Sequence, residues 1–211
     1  MMIVNSVLTY IKKEFKSSVD KVDNSFNETT IYLNKENTFD ILKIICFKYG
    51  FQQLVDVSVV DYLKYGHSEW ETTKKSTGFS RAVKNRNSFC LERKNRFLVV
   101  YHVLNLKENT RLRIKVTLPN EDFTIPSVIN IWPSAEWPER EAFDMFGIIF
   151  LGHPDLRRIL TDYGFIGYPL RKDFPQSGKV GIRYDSKNER IVYEPVEIEP
   201  RINVPKIIRS N

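Results

Sequence analysis

No proline occurs in the first 118 residues; all 10 lie at Pro119 or beyond. Proline is poorly tolerated inside helices and central strands. The proline-free part is therefore expected to carry the regular fold. Cysteine is scarce, with only Cys46 and Cys90 among 211 residues. An iron–sulfur cluster needs about four thiolates, so this chain cannot hold one alone, and a disulfide framework is not expected. Cys46, flanked by Ile44, Ile45 and Phe47, reads as a small core residue. Cys90 lies in a basic segment and receives no role. Long apolar runs are missing: Met145 to Gly152 falls far short of the roughly 20 residues needed to cross a bilayer. There is no G-x-G-x-x-G, Walker lysine loop, H-E-x-x-H or C-x-x-C, and no nucleophile elbow. Met1 to Tyr10 has no basic region ahead of its apolar residues and is poor in arginine, unlike a secretory signal or a mitochondrial presequence.

What is present is ordinary globular composition, 42% hydrophobic and 27% charged. The net charge of +6 is uneven: residues 1–60 are neutral, 61–120 carry +8, and 121–211 carry −2. The basicity is thus local to the middle third. It is compatible with nucleic acid, anionic lipid or an acidic protein.

Val4, Val7, Leu8, Ile11 and Phe15 recur at helical spacing and predict a first helix. Val19–Phe26 and Thr29–Asn34 read as strands joined at Asn27. Thr38 is expected to cap a second helix with Phe39, Leu42, Ile45, Cys46 and Tyr49 as its apolar stripe and Gly50 at its end. Gln53–Val60 alternates, with Val55, Val57 and Val59 assigned to one face. Phe97–Leu104 reads as a central strand, and Arg111–Leu118 alternates strictly. The fold class expected is α+β: two helices packed on a mixed β-sheet, followed by a Pro/Gly-rich extended C-terminal region with short helices. Residues 1–118 form the α+β domain, interrupted by a polar, basic insertion at 66–95. Residues 119–211 are expected to wrap a partner. They include a helix from Pro138 to Phe146 ended by Gly147, a hairpin around Asp185–Asn188 and an extended tail over 194–211.

Side chains able to carry chemistry concentrate in residues 136–175. Glu139, Glu141, Asp144 and His153 together suggest a carboxylate-based metal hydrolase. Interleaved Arg140, Arg157, Arg158, Arg171 and Lys172 favour instead ion pairs in a polar scaffold or interface. Arg140 and Asp144, one turn apart, are expected to face each other. Asp155 is expected to start a helical turn over Leu156–Leu160, and His153 to be a hydrogen-bonded turn residue. Trp132 and Trp137 read as core or interface anchors. A third reading, a nucleic-acid-binding module, uses Lys74 to Arg96.

Three ordered blocks carry a resemblance: Glu139–Gly147 (Glu-Arg-Glu-Ala-Phe-Asp-Met-Phe-Gly), Gly152–Leu160 (Gly-His-Pro-Asp-Leu-Arg-Arg-Ile-Leu) and Pro169–Pro175 (Pro-Leu-Arg-Lys-Asp-Phe-Pro). They resemble the 30-kDa subunit of respiratory complex I, NADH dehydrogenase subunit 9 in mitochondrial genomes. Weaker similarity covers Val57–Tyr62 and Arg96–Val116. The resemblance implies a subunit of the peripheral arm of a proton-pumping NADH:ubiquinone oxidoreductase, packed on the 49-kDa subunit near the quinone site. It implies no catalytic, metal or cofactor site in this chain; iron–sulfur clusters and FMN belong to partner subunits. The implied location is the matrix side of the mitochondrial inner membrane, and the richness in Ile, Asn and Lys suits an AT-rich, organellar genome. The expected partner interface is Glu139, Arg140, Glu141, Asp144, His153, Asp155, Arg157, Arg158, Arg171, Lys172 and Asp173. The sequence departs from the family at 66–95, where a lineage-specific subunit is the expected partner, with Trp70 or Phe79 as anchor. It departs also at Pro138, where an aromatic is common.

Overall fold

The structure is a computed structural model that describes residues 2–26, 28–63, 65, 71–72, 95–175, 178, 180–196 and 208–209. The elements in chain order are α1 (Met2–Glu14), β1 (Val19–Ser25), β2 (Glu28–Asn34), α2 (Thr38–Phe47), β3 (Gln53–Asp61), β4 (Glu71–Thr72), β5 (Phe97–Asn105) and β6 (Thr110–Thr117). They continue with β7 (Thr124–Pro126), α3 (Glu136–Phe146), β8 (Ile149–Leu151), β9 (Val180–Asp185), β10 (Arg190–Pro195) and β11 (Ile208–Arg209). The chain divides into two units, residues 1–62 with 94–171, and residues 63–93 with 172–211.

The first unit is built on a five-stranded sheet of order β1-β2-β6-β5-β3. β2 and β6 run parallel and the other pairs antiparallel, so the sheet is mixed and the fold is α+β as expected. The two-residue side-chain period of a strand puts Phe97, Val99, Tyr101 and Val103 of β5 on the same face as Leu112, Ile114 and Val116 of β6. All are buried in one cluster with Val4, Val7 and Ile11 of α1 and Ile41, Leu42, Ile45 and Cys46 of α2. The two helices thus bury their apolar stripes on one sheet face.

Several expectations shift in detail. Thr38 is the first helical residue and not the cap. Asn37 holds that position in the left-handed region (φ 58), and the Thr38 hydroxyl donates to the Lys35 carbonyl at 2.9 Å. A bulge between Leu54 and Asp56 turns Val55 outward, 55% exposed, and buries Leu54 instead. One extra residue inverts the alternation. Gly50 closes α2 at φ 74, with its N–H on the Cys46 carbonyl. A Cβ there would also crowd the Asn105 amide at 3.3 Å.

The core does not stop at Pro119. Ile125, Val128, Ile131, Trp132, Ala135, Ala142, Ile148 and Phe150 join the same buried cluster. Proline limits the backbone, but it does not prevent its neighbours from being buried. The Trp132 indole donates to the Phe51 carbonyl at 3.1 Å, which ties this segment to the end of α2. α3 starts at Glu136, before Pro138. Proline is tolerated there because the first four helical N–H groups have no intrahelical acceptor.

Most of the stretch 66–95 lies outside the described residues, including Trp70, Phe79, Cys90 and the basic run Lys74–Lys94. The described residues that flank it are clamped together. Arg96 Nε and Nη2 reach the two carboxylate oxygens of buried Asp61 at 2.9 and 2.7 Å, and the Tyr62 N–H donates to the Arg96 carbonyl at 2.9 Å. The chain leaves the sheet and returns at one point, a geometry that tolerates insertions at small entropic cost.

In the second unit, β9 and β10 form an antiparallel hairpin around Ser186–Glu189, and β4 pairs with β11. Among the described residues no helix is long and apolar enough to cross a membrane.

Candidate functional site

α3 and the loop after β8 bring together most of the chemistry-bearing residues of the first unit. Glu139 and Asp144 are five residues apart, about 140° around a helix, so they point in different directions. Both are fully buried.

Glu139 faces the turn after β7. Its carboxylate takes the Ser127 hydroxyl at 2.6 Å and the Val128 N–H at 2.8 Å. Burial raises its pKa to about 7, against the opposing pull of those two hydrogen bonds. The Tyr101 hydroxyl is buried in the same core with no hydrogen-bond partner among the described residues. Burial first, and the nearby Glu139 charge second, push that phenol well above its ordinary value.

Asp144 faces the segment 158–161. One oxygen collects the N–H groups of Ile159, Leu160 and Thr161 at 3.1, 2.8 and 2.9 Å. The other takes Arg158 Nη1 at 3.0 Å and the Thr161 hydroxyl at 2.5 Å. Burial alone would raise its pKa. The Thr161 hydroxyl and the three amides outweigh it, and the group stays below its ordinary value. Because the backbone amides wrap a carboxylate here, the helical turn expected over Leu156–Leu160 does not form.

Arg140 does not pair with Asp144. It donates from Nε to the Arg157 carbonyl at 3.1 Å and from Nη2 to the Arg158 carbonyl at 3.4 Å. Arg158 answers Asp144 instead, and also donates to the Gly167 carbonyl at 3.1 Å. His153 is a hydrogen-bonded turn residue. Nδ1 accepts the Asp155 N–H at 3.1 Å, and Nε2 lies 3.2 Å from the Glu136 carbonyl, which sets the proton on Nε2. Asp155 pairs with exposed Arg157 at 2.8 Å. Glu141 is exposed, on the opposite side of α3 from Glu139. Arg171 donates to the Phe146 carbonyl at 2.5 Å and lies over the rings of Tyr168, Phe97 and Phe123 at 4.3, 5.2 and 5.5 Å. Gly147 ends α3 at φ 77; a Cβ there would fall 2.6 Å from Arg171 and from Tyr168. Lys172 and Asp173 belong to the second unit and are exposed.

The expected interface set therefore separates. Glu139 and Asp144 are engaged inside the chain, whereas Glu141 and Arg157 are surface residues. Gly147 ends the helix as its position after the helical pattern implies. Ser127, Thr161 and Tyr101 carry no signal in the sequence that marks them as partners of the two acids. Among the described residues no three His, Cys, Asp or Glu side chains converge as metal ligands. Of the carboxylates proposed for a hydrolase, Glu139 and Asp144 sit in two separate nests and Glu141 is exposed on the opposite side of α3 from Glu139.

Around the block lie exposed apolar side chains: Trp137, Ile149, Leu151, Leu160, Tyr163 and Ile166.

A family model described as respiratory-chain NADH dehydrogenase, 30 Kd subunit, matches residues 31–180. An NADH-quinone oxidoreductase subunit of Hydrogenovibrio crunogenus is 50% identical over 197 residues, covering 90% of this chain and 87% of that protein. Its Coxiella burnetii namesake is 46% identical over 209 residues, covering 97% and 92%. The Legionella pneumophila namesake is 44% identical over 205 residues, covering 95% and 90%. A trypsin-resistant fragment of Nqo5 superposes with a TM-score of 0.55 at 27% identity, covering 73% of this chain and 99% of that one. A chain of the membrane-bound sulfane sulfur reductase, an archaeal respiratory membrane complex, shares the fold with a TM-score of 0.57 at 21% identity, covering 81% and 85%. On the extent of the family match and the length over which these relatives align, the chain belongs to the 30-kDa subunit family of the respiratory-chain NADH dehydrogenase.

Proposed function

We propose that this chain is a non-catalytic scaffold subunit in the peripheral arm of a proton-pumping NADH:quinone oxidoreductase, seated on the 49-kDa subunit near the quinone site. The observation that carries this reading is the division of labour around α3. The buried carboxylates Glu139 and Asp144 tie the chain to itself, while Trp137, Ile149, Leu151 and Tyr163 stand exposed beside them. Carboxylates held in place by backbone N–H groups are structural ligands, and exposed aromatic and aliphatic anchors beside them suit a protein neighbour. Clusters and FMN would reside in other subunits. The basic stretch 66–95 would meet a lineage-specific acidic one. The relatives from Hydrogenovibrio, Coxiella and Legionella are bacterial; a matrix-side location on the mitochondrial inner membrane is part of this proposal, and subcellular fractionation decides it.

The test is native-gel mass spectrometry of the endogenous protein and of an Ile149→Asp, Leu151→Asp variant. Both side chains are exposed on β8, so the fold should survive. We expect the wild-type chain to co-migrate with a very large membrane complex and the variant to lower its abundance, with normal turnover in what assembles. Full abundance with abolished turnover would overturn the scaffold reading.

A further inference from the structure

The hairpin β9–β10 lies beyond the residues matched by the family model, apart from its first residue. Its register makes it amphipathic. Val180 pairs with Pro195, Ile182 with Tyr193 and Tyr184 with Ile191. Cross-strand partners and every second residue share a face, so these six side chains form one apolar surface. The other face holds Arg183 beside Val192, Asp185 beside Arg190, and Gly181 beside Glu194. Arg183 and Glu194 form an ion pair there at 3.1 Å. The apolar face is exposed among the described residues: Val180, Ile182, Tyr184, Ile191 and Tyr193 range from 56% to 68% exposed, and Pro195 is exposed as well.

A two-stranded ribbon does not hold its shape in water unless one face is packed. We infer that the apolar face of β9–β10 is a docking surface for an uncharged, apolar patch on a neighbouring protein subunit of the complex. Two observations choose this occupant. The ribbon from Val180 to Val196 carries three basic residues (Arg183, Lys187, Arg190) and three acidic ones (Asp185, Glu189, Glu194). It is neutral, so it offers no attraction to nucleic acid or to an anionic lipid surface, both of which recruit net positive charge. The available area also fits. Two tyrosines and three aliphatic side chains, each more than half exposed, offer on the order of 500 Å², a large part of the roughly 800 Å² per partner in a standard protein interface. Tyrosines bring large contact area at low entropic cost. The inference rests on family membership and not on the 49-kDa subunit being the neighbour.

The test is photo-crosslinking in intact cells, with a benzophenone amino acid placed at Ile182 on the apolar face or at Arg183 on the charged one. The expected result is a covalent adduct from position 182 to a different polypeptide, at least about tenfold above that from 183. In parallel, the Ile182→Lys, Ile191→Lys variant should lower the chain's incorporation into the complex by at least about tenfold, since two buried isoleucines supply that much binding free energy. An Arg183→Ser, Glu194→Ser control should leave incorporation unchanged. Adducts only within the same chain, to a second copy of it or to lipid would each overturn the inference, as would equal yields from the two faces. A chain that co-migrates with the complex but forms no adduct at position 182 refutes the docking face and leaves the scaffold reading standing. The two proposals thus fail separately.

Discussion

Replacing Glu139 by glutamine should make the protein more stable at pH 8 and nearly unchanged at pH 5. The carboxyl is fully buried and its pKa is raised to about 7, from an ordinary 4.5. The unfolded chain ionises this group freely above about pH 4.5, while the folded chain holds the proton until about pH 7. Stability is therefore fully present below pH 4.5 and is lost as pH rises through 7. Two to three pKa units correspond to roughly 3 kcal/mol. Glutamine cannot ionise, yet its carbonyl still accepts the Val128 N–H and its amide can donate to the Ser127 oxygen, whose hydroxyl is free to rotate.

The assay is urea unfolding of the purified chain from pH 5 to pH 9, followed by the fluorescence of buried Trp132. Over that range the wild-type curve should fall by roughly 3 kcal/mol more than the Glu139→Gln curve. In a thermal scan of a chain this size, that is a Tm difference of about 6–12 °C at pH 8. Parallel pH profiles for the two proteins would refute the reasoning. They would mean that Glu139 ionises in the folded state as easily as in water.

Asp144→Ala should cost about 3–5 kcal/mol, because it strands the partly buried Arg158 and frees three backbone N–H groups; loss of amide-exchange protection at 159–161 is the readout. The same protection in the wild type should fail under acid, since a carboxyl with a lowered pKa stabilises the fold above its unfolded value and loses that effect as pH falls through the folded one. Arg140→Ala removes two donors from the 157–158 backbone, about 1–3 kcal/mol; it should reduce assembled complex, measured apart from turnover per assembled complex. Gly147→Ala should destabilise by more than about 1 kcal/mol, read as a lower Tm, because φ is 77 and the new methyl meets Arg171 and Tyr168.

The sheet was legible because strand alternation is written directly in residue type. Leu112, Ile114 and Val116 against Arg111, Arg113 and Lys115 leave one way to face the core. The bulge at Val55 was not legible, since valine suits either face and nothing local marks the extra residue. The extent of the core past Pro119 was misread for a physical reason. Proline density reports on backbone regularity, and burial of Ile125, Val128 and Trp132 depends on what they meet in space. The candidate site was half legible. Its residues were found by their chemistry, but their partners were not. Asp144 is held mainly by backbone N–H groups, which every residue except proline carries and which no sequence pattern singles out. Opposite charge at four-residue spacing therefore suggested the pair Arg140–Asp144, and the fold gives Asp144 to Arg158.

That exchange of partners explains what the signature block does for the fold. Glu139 points one way from α3 to the turn after β7; Asp144 points the other way to residues 158–161. Arg140, one turn before Asp144 on the same side of the helix, reaches the same loop, and Arg171 returns to the helix end at Phe146. One eleven-residue helix thus anchors three segments that have little regular structure of their own. Such segments cannot be held by their own hydrogen-bond ladders, and charge-assisted bonds to backbone groups are the strongest substitute available. The arrangement also fixes where the exposed apolar residues Leu160 and Tyr163 stand, since both follow directly from the loop that Asp144 and Arg140 hold. A substitution at either acid would then reach the assembly through the placement of those side chains, with no change in the chemistry that other subunits perform.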